Sequence, residues 1–253
     1  MNEPDGPGRP TGRGNVTRGT RGINRTIGVA ERAGEITRAA IERFAAACTQ
    51  DDPPACTAAC PLHVDTRGLL ARAADGDWTA ALDVLHRTVL FPAVLARTCP
   101  QPCRLPCRRG EAGDPIAIAA VERACTEFGR TSGGPGAAPP RRRQRIAVVG
   151  GGLAGAAAAL DLARRGYPVA LFEASGRLGG RVRDLPGDVL PSRVVDTELA
   201  AVAAAGVQVR LDEEVDPAAL KQLRTGFDAV ILATGAGSPV PGPAPGATPG
   251  GGP

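Results

Sequence analysis

Six cysteines of this sequence fall into two short segments whose spacing suits metal binding. The first segment, residues 48–61, reads CTQDDPPACTAACP, and the second, residues 99–107, reads CPQPCRLPC. Cys56 and Cys60 are separated by three residues, and Pro61 follows them. The same C-x3-C-P spacing occurs in bacterial ferredoxins, whose thiolates hold iron-sulfur clusters. The two segments therefore indicate that thiolates bind a metal or a redox-active group.

Spacing alone leaves three interpretations of these cysteines open. Iron-sulfur ligation is favoured by the ferredoxin-like run. Zinc is the second possibility, although zinc takes four ligands from paired knuckles, so that six cysteines would fill one site and leave two over. Unligated buried thiols are the third, because cysteine is often buried. The seventh cysteine, Cys125, is outside both segments and is predicted to be a buried helix residue.

A glycine-rich turn predicts a second site, for a dinucleotide. Gly150, Gly152 and Gly155 form a G-x-G-x-x-G pattern directly after the apolar segment RIAVVG. In such turns the backbone approaches a pyrophosphate, which the following helix N-terminus attracts. Glu173 comes 23 residues after Gly150 at the end of the next apolar segment, where a carboxylate accepts ribose hydroxyls. The alternative is a glycine turn that binds nothing.

Charge and hydropathy narrow the classes of partner. The net charge is +4, with arginines concentrated in residues 9–25 and 141–145. No aromatic residues interleave with these arginines, so a solvated tail and linker are expected rather than a nucleic-acid site. No signal peptide or stretch of 18 apolar residues is found, and the protein is expected to be cytoplasmic, with no membrane partner. Cytoplasmic thiols stay reduced, which favours metal or redox chemistry over disulfides.

Helices are predicted to position the cysteine segments. Apolar residues recur at helical spacing over 27–48, which would place Cys48 at a helix end. A short helix is predicted around Leu69, and Asp77 is predicted to cap a helix that continues to Pro92. The segment 115–129 opens with proline and closes with glycine, as helices often do.

Alternating strands and helices are predicted to position the glycine turn. The segments RIAVVG, PVALFE, VQVRL and DAVILATG are predicted as strands, and 153–166, 194–205 and 217–225 as helices. This alternation predicts a parallel sheet. The expected fold has two domains, an all-α helical domain followed by an α/β Rossmann-like domain. The predicted boundaries are a disordered basic leader 1–26, the helical domain 27–130, a linker 131–144, the Rossmann-like domain 145–237 and a Gly/Pro-rich tail 238–253.

The helical region resembles a known iron-sulfur family. The segments CPLHVD, FPAVLARTCPQPCRLPCRRG and PIAIAAVER are similar to the N-terminal domain shared by the small subunit of bacterial glutamate synthase and dihydropyrimidine dehydrogenase. The resemblance implies two 4Fe-4S clusters with interleaved ligands. One cluster would use Cys48, Asp51, Cys56 and Cys107, and the other Cys60, Cys99, Cys103 and Glu122.

Two positions depart from the family pattern. Asp51 stands where the family has a cysteine, and Leu95 stands where a further cysteine is common. Aspartate is a harder ligand than thiolate. The Asp51 site could therefore hold a four-iron cluster with an aspartate ligand, a three-iron cluster, or none.

The second half of the sequence is similar to the FAD-binding half of flavoprotein reductases with two dinucleotide folds. The resemblance rests on GGGLAG, LFEASGRLGGRV and DAVILATGAG, and Val189 replaces an arginine of the family. It implies FAD as the dinucleotide. The implied contacts are Gly150, Gly151, Gly152, Leu153, Ala154, Gly155, Glu173, Gly180, Ala233, Thr234 and Gly235.

The resemblance implies an electron-transfer oxidoreductase. Electrons would pass between FAD and the 4Fe-4S clusters to a partner oxidoreductase subunit or electron acceptor, and no side chain is expected to act as a general acid or base. The similarity covers about 27–237 and accounts for only the first half of the family's architecture, without a second glycine-rich turn for NADPH. The alternatives are a truncated or non-catalytic subunit of a split oxidoreductase and, more distantly, a zinc-containing nucleic-acid adaptor.

Overall fold

The computed structural model describes residues 37–130 and 140–235. The predicted leader, the first residues of the 27–48 helix, most of the linker and the tail lie outside these ranges. Residues 37–130 are helical, as predicted. The α-helices described there are α1 Arg38–Ala46, α2 Ala55–Ala59, α3 Thr66–Ala74, α4 Trp78–His86, α5 Pro92–Thr98 and α6 Ile118–Phe128, with short 3-10 turns at Pro102–Arg104 and Arg108–Glu111.

Side-chain caps define where two of these helices begin. The Asp77 carboxylate accepts a hydrogen bond from the backbone N–H of Ala80 at 2.9 Å, which confirms the predicted cap of α4. The Asp65 carboxylate accepts in the same way from Gly68 at 2.9 Å and starts α3. Each cap satisfies one N–H that the first helical turn leaves without a partner.

The prediction that the helix from Asp77 continues to Pro92 is wrong. Helix α4 ends at His86, and the N–H groups of Thr88 and Val89 both bond to the carbonyl of Leu85 in a tightened final turn. Pro92 begins α5 instead of ending α4. A proline fits the first position of a helix because the N–H that it lacks would have had no partner there.

Residues 140–235 form a parallel sheet with flanking helices, as predicted. The elements are β1 Ile146–Val149, α7 Leu153–Arg164, β2 Val169–Phe172, a 3-10 turn Gly180–Asp184, α8 Ser192–Ala204, β3 Gln208–Arg210, α9 Pro217–Gly226 and β4 Ala229–Leu232. The strand order is β3-β2-β1-β4. Because β4 joins the opposite side of β1 from β2, the strand order reverses between β1 and β4. Ligands of such sheets bind at the carboxyl ends of the strands beside this reversal.

Helix α5 belongs to the helical region by sequence but packs into the core of the Rossmann-like region. Phe91, just before it, and Val94, within it, are buried in one apolar cluster with Leu160 of α7 and Leu199 of α8. The helical region has its own core, against which Cys48, Cys56, Cys60 and Cys107 pack. The two regions are therefore joined by a shared apolar cluster.

A carboxylate from α8 caps α5. The two oxygens of Glu198 accept hydrogen bonds from the N–H groups of Ala93 at 3.0 Å and Val94 at 2.9 Å. Phe91, which precedes α5, supplies no side-chain cap of its own. Burial raises the pKa of Glu198 in spite of these two hydrogen bonds and the nearby charge of Arg97. Glu198 thus replaces a local cap across the boundary between the two regions.

We expect Glu198→Ala to lower the free energy of unfolding by about 0.5–2 kcal/mol, the usual cost of losing a helix cap. Thr197→Ala is the matched control, since Thr197 is the exposed neighbour on the same helix. Urea unfolding measured by circular dichroism tests the difference. Equal midpoints for the two variants would show that the Glu198 hydrogen bonds contribute nothing net.

No helix in the part of the chain that the structure describes is long and apolar enough to cross a membrane.

Candidate cofactor sites

The glycine turn after β1 is built from close backbone contacts. Gly150 has a φ of 103°, a conformation that side chains disfavour, and an added Cβ would lie 2.6 Å from the carbonyl carbon of Ala233. A Cβ on Gly155 would overlap the carbonyl oxygen of Gly150. Both positions therefore need glycine for the turn and the helix to pack.

Gly152, unlike Gly150 and Gly155, has open space where a side chain would lie. A Cβ at this residue would meet nothing within 4 Å. Gly152 precedes α7, and no side chain caps that helix. The first N–H groups of α7, from Leu153 and Ala154 onward, consequently face an anion-binding position with no competing carboxylate or hydroxyl cap.

Glu173 lies directly beside the turn. Its Oε2 accepts a hydrogen bond from the N–H of Gly151 at 2.6 Å, and its Oε1 accepts from the N–H of Ser175 at 2.9 Å. Burial opposes ionisation of the carboxyl, but the hydrogen bonds from Ser175 and Gly151 outweigh it and lower the pKa of Glu173. The side chain is therefore an ionised acceptor held in one orientation.

Two further loops complete the surroundings of the turn. The N–H of Gly179 donates to the carbonyl of Gly151 at 2.8 Å, and a Cβ on Gly180 would lie 3.1 Å from the Cα of Gly152. On the other side, the N–H of Ala233 donates to the carbonyl of Val149 at 2.7 Å, so the Ala233–Gly235 turn follows β4 next to the glycine turn. The structure thus brings together the residues that the sequence assigned to a dinucleotide.

The first cysteine set lines one pocket. Cys48, Asp51, Cys56 and Cys107 all contribute to its wall. They come from the end of α1, the loop before α2, α2 itself and the loop after the Pro102–Arg104 turn. Burial raises the pKa of Cys48, and the nearby Cys56, Cys107 and Asp51 add to the effect. Three thiols and one carboxylate therefore line the same pocket.

The Asp51 carboxylate has two polar neighbours at this pocket. Its Oδ2 accepts a short hydrogen bond from the hydroxyl of Thr49 and lies 4.0 Å from the Nε of Arg108. Its side chain is 41% exposed. The carboxylate is consequently held by two polar neighbours at the edge of the pocket while it stays open to solvent.

The residues of the second set also lie close together within the helical region. Cys103 and Glu122 are buried, and Cys60 and Cys99 lie close enough to act on Cys103 electrostatically. Burial, followed by the charges of Glu122, Cys99 and Cys60, raises the pKa of Cys103 to about 12. Burial also raises the pKa of Glu122 to about 7. Burial also raises the pKa of Cys99, so Cys99, Cys103 and Glu122 resist ionisation, and a cationic group bound among them would hold them as anions.

Neither donor set is arranged as a site for one metal ion in the part of the chain that the structure describes. Within residues 37–130 and 140–235, no three His, Cys, Asp or Glu side chains are grouped to hold a single metal ion. In a 4Fe-4S cluster each protein ligand binds a different iron, so its ligands surround a larger group.

Several residues of these sites were not found by reading the sequence. Ser175 orients Glu173, and Arg183 donates to the carbonyl of Leu178 at 2.5 Å and to Asp196 at 2.7 Å beside the Gly179 loop. The only available signal was their position within the loop after Glu173. Besides Asp51, two positions depart from the family pattern: Leu95 packs against the helical core, and Val189 is exposed.

Comparison with known protein families supports the assignment of both the helical region and the Rossmann-like region. Residues 25–133 match the family described as dihydropyrimidine dehydrogenase domain II, 4Fe-4S cluster. Residues 148–209 match the family described as NAD(P)-binding Rossmann-like domain. Among the alternatives for the cysteines, the first match favours iron-sulfur ligation.

The chain is similar to several curated proteins over most of its length. The chain is 35% identical over 220 residues to the small chain of NADPH glutamate synthase from Mycobacterium tuberculosis, covering 82% of the chain and 44% of that protein. It is 30% identical over 205 residues to the beta subunit of an NADP(+)-dependent formate dehydrogenase from Moorella thermoacetica, covering 71% and 29% respectively. It is 29% identical over 191 residues to PreT, a subunit of the NAD-dependent dihydropyrimidine dehydrogenase of Escherichia coli K12, covering 72% and 46%. The chain thus spans less than half the length of each of these relatives.

The fold and the two sites define a protein that joins a helical iron-sulfur domain to a dinucleotide-binding domain. The chain carries a domain of the dihydropyrimidine dehydrogenase domain II family and is similar to the glutamate synthase small chain and PreT, which confirms the resemblance noted in the sequence.

Proposed function

We propose that this chain is an electron-transfer module that holds FAD at the glycine turn and two iron-sulfur clusters in the helical domain. The observation that carries the proposal is the convergence of two separate sets of four donors within one helical domain that shares an apolar cluster with the dinucleotide domain. Flavin and iron-sulfur groups, when bound, exchange single electrons at potentials set by their surroundings. The protein's part is to bind, orient and shield them.

The residues of the dinucleotide site have separate tasks. The open space at Gly152 and the uncapped start of α7 would receive the pyrophosphate. Glu173, held by Ser175, would accept hydrogen bonds from ribose hydroxyls. The Ala233–Gly235 turn, which the resemblance places near the flavin ring, lies beside the strand reversal of the sheet.

The residues of the helical domain would hold the clusters in the two sets already described. Cys48, Asp51, Cys56 and Cys107 would bind one cluster, and Cys60, Cys99, Cys103 and Glu122 the other. The sets interleave, since Cys56 lies in α2 and Cys60 directly follows that helix, yet the two belong to different sets. Interleaving keeps the two clusters close together, as an electron relay requires. A partner oxidoreductase subunit is the proposed electron acceptor or donor.

The proposal is tested by loading and reducing the protein without oxygen. Purified chain reconstituted with iron, sulfide and FAD should hold about eight irons, as two four-iron clusters require. Chemical reduction of the bound flavin should be followed by bleaching of the cluster absorbance in stopped-flow measurements. Zinc in place of iron and labile sulfide would refute the proposal. Reduced flavin that leaves the clusters oxidised would support a subunit that binds these groups without relaying electrons.

We expect Asp51 to make one cluster labile. An oxygen ligand binds iron less strongly than a thiolate, so the iron facing Asp51 should leave first. Brief air exposure should convert this cluster to a three-iron form, and Asp51→Cys should suppress the conversion. Electron paramagnetic resonance quantifies the three-iron signal in both proteins.

The control for this substitution is Asp52→Cys. Asp52 adjoins Asp51 but does not line the cysteine pocket, and its side chain is 77% exposed. This variant should keep the three-iron signal of the unmodified protein. Equal signals from the Asp51→Cys and Asp52→Cys proteins would mean that Asp51 is not a ligand.

A further inference from the structure

An unpartnered arginine lies between the two cysteine sets. Arg104 is only 8% exposed, and its Nε and Nη1 atoms are buried without a hydrogen-bond partner among the described residues. The guanidinium cannot lose its proton to avoid this cost. A buried charge without a partner is strongly destabilising, so proteins supply a counter-charge or a bound anion.

The backbone places Arg104 in contact with both sets. Its N–H bonds to the carbonyl of Gln101 at 3.1 Å, and its carbonyl accepts from Cys107 at 3.2 Å. The Pro102–Arg104 turn packs against α2, the helix that carries Cys56 and leads to Cys60. Arg104 therefore follows Cys103 of one set directly and lies three residues before Cys107 of the other. It belongs to a turn that packs against α2, the helix that carries Cys56.

No described carboxylate forms an ion pair with Arg104. The ion pairs of residues 37–130 involve Arg67, Arg97, Arg108 and Arg123 instead. The groups next to Arg104 along the chain that can become anions are Cys103 and Cys107, one from each set, whose thiols lose their protons when they bind metal. A metal-loaded site would therefore supply the counter-charge that the described side chains do not.

We propose that the Arg104 guanidinium is the buried counter-charge of the bound clusters and raises their reduction potential. This inference rests on the proposed function. Reduction adds one electron and no other charge to a cluster, so a fixed cation nearby stabilises the reduced form more than the oxidised form. Burial strengthens this effect because little solvent screens the charge.

Arg104→Met tests the proposal in the loaded protein. The variant and the unmodified protein are compared in a redox titration followed by electron paramagnetic resonance. For at least one cluster, the ratio of reduced to oxidised form at a fixed potential should be about tenfold lower in the variant. For a one-electron couple, this corresponds to a reduction potential that is lower by about 59 mV. Arg104→Lys, which retains the charge, should restore most of the potential. Arg108→Met is the matched control, because the Arg108 side chain lies near the same pocket but is 61% exposed. Its effect should stay below about twofold because solvent screens exposed charges.

The metal-free full chain gives a second test, in which Arg104→Met is expected to stabilise the protein. Without a cluster, Arg104→Met removes an unpaired buried charge, so its urea midpoint should rise, whereas Arg108→Met should leave it unchanged. Two results would overturn this inference and leave the proposed function standing: unchanged reduction potentials of both clusters in Arg104→Met, or a lower urea midpoint of the metal-free variant. Unmodified protein that binds no iron and sulfide would overturn the proposed function and this inference with it.

Discussion

Gly155→Ala should destabilise the Rossmann-like region by more than about 3 kcal/mol, beyond the usual cost of overpacking. The added methyl group would overlap the carbonyl oxygen of Gly150, which is backbone and cannot rotate away. Gly150 is itself packed against Ala233, so the strain would spread to the end of β4. Urea unfolding measures the loss, and FAD binding should disappear with the fold.

Gly152→Ala separates binding from folding at the same turn. Its methyl group enters open space, so stability should change by no more than about 1 kcal/mol, the scale of an altered helix cap. The same space is the proposed pyrophosphate position, and affinity for FAD should fall at least about tenfold, or 1.4 kcal/mol. Fluorescence titration of FAD provides the measurement.

Gly187→Ala is the control for both glycine variants. Gly187 is exposed and also leaves open space around a Cβ, but it lies outside the turn. It should preserve both stability and FAD affinity. Unimpaired FAD binding by Gly152→Ala would place the pyrophosphate elsewhere.

Removing one cysteine from each set should remove one cluster at a time. Cys107→Ala should abolish the cluster at the Asp51 pocket, and Cys103→Ala the cluster beside Glu122, because neutral alanine cannot replace a thiolate ligand. Each variant should hold roughly half the iron and labile sulfide of the unmodified protein, since the two proposed clusters have equal iron content. Iron and sulfide analysis after anaerobic reconstitution measures the loss, and electron paramagnetic resonance identifies the remaining cluster.

Cys125→Ala is the control for the cysteine variants. Cys125 is fully buried in α6 and belongs to the helical core, as the sequence predicted, but it is outside both sets. It should retain the full iron and sulfide content. A loss as large as that in Cys103→Ala would mean that the assignment of the second set is incorrect.

The strands and most helices could be predicted because local signals determined them. The runs RIAVVG and DAVILATG are apolar and bounded by glycine, and the sheet places them as neighbours β1 and β4. Asp77 combined a capping side chain with a following apolar pattern, and its hydrogen bond to Ala80 confirms it. Helix α5 was missed because a proline can end a helix or begin one, and only tertiary packing decides between the two.

Contacts between distant residues could not be predicted. The Glu198 oxygens meet Ala93 and Val94 over separations of 105 and 104 residues. No periodicity or motif marks such a pairing. Arg104 was missed for a different reason, since arginine is rarely buried without a partner and a sequence gives no sign that it will be. The proposed ligand sets, by contrast, came from the family resemblance, because the spacing of the cysteines alone left several interpretations open.

Helix α5 has a consequence for how fast electrons can move. Its seven residues span about 10 Å, with Phe91 and Val94 fixed in the dinucleotide-domain core and Cys99 directly after its other end. Electron tunnelling slows steeply as the distance between donor and acceptor grows. Helix α5 is anchored in one core and leads directly to Cys99, a proposed ligand in the other region. In the proposed relay this helix would hold donor and acceptor at a constant separation, so that electron transfer would not wait for the domains to swing together.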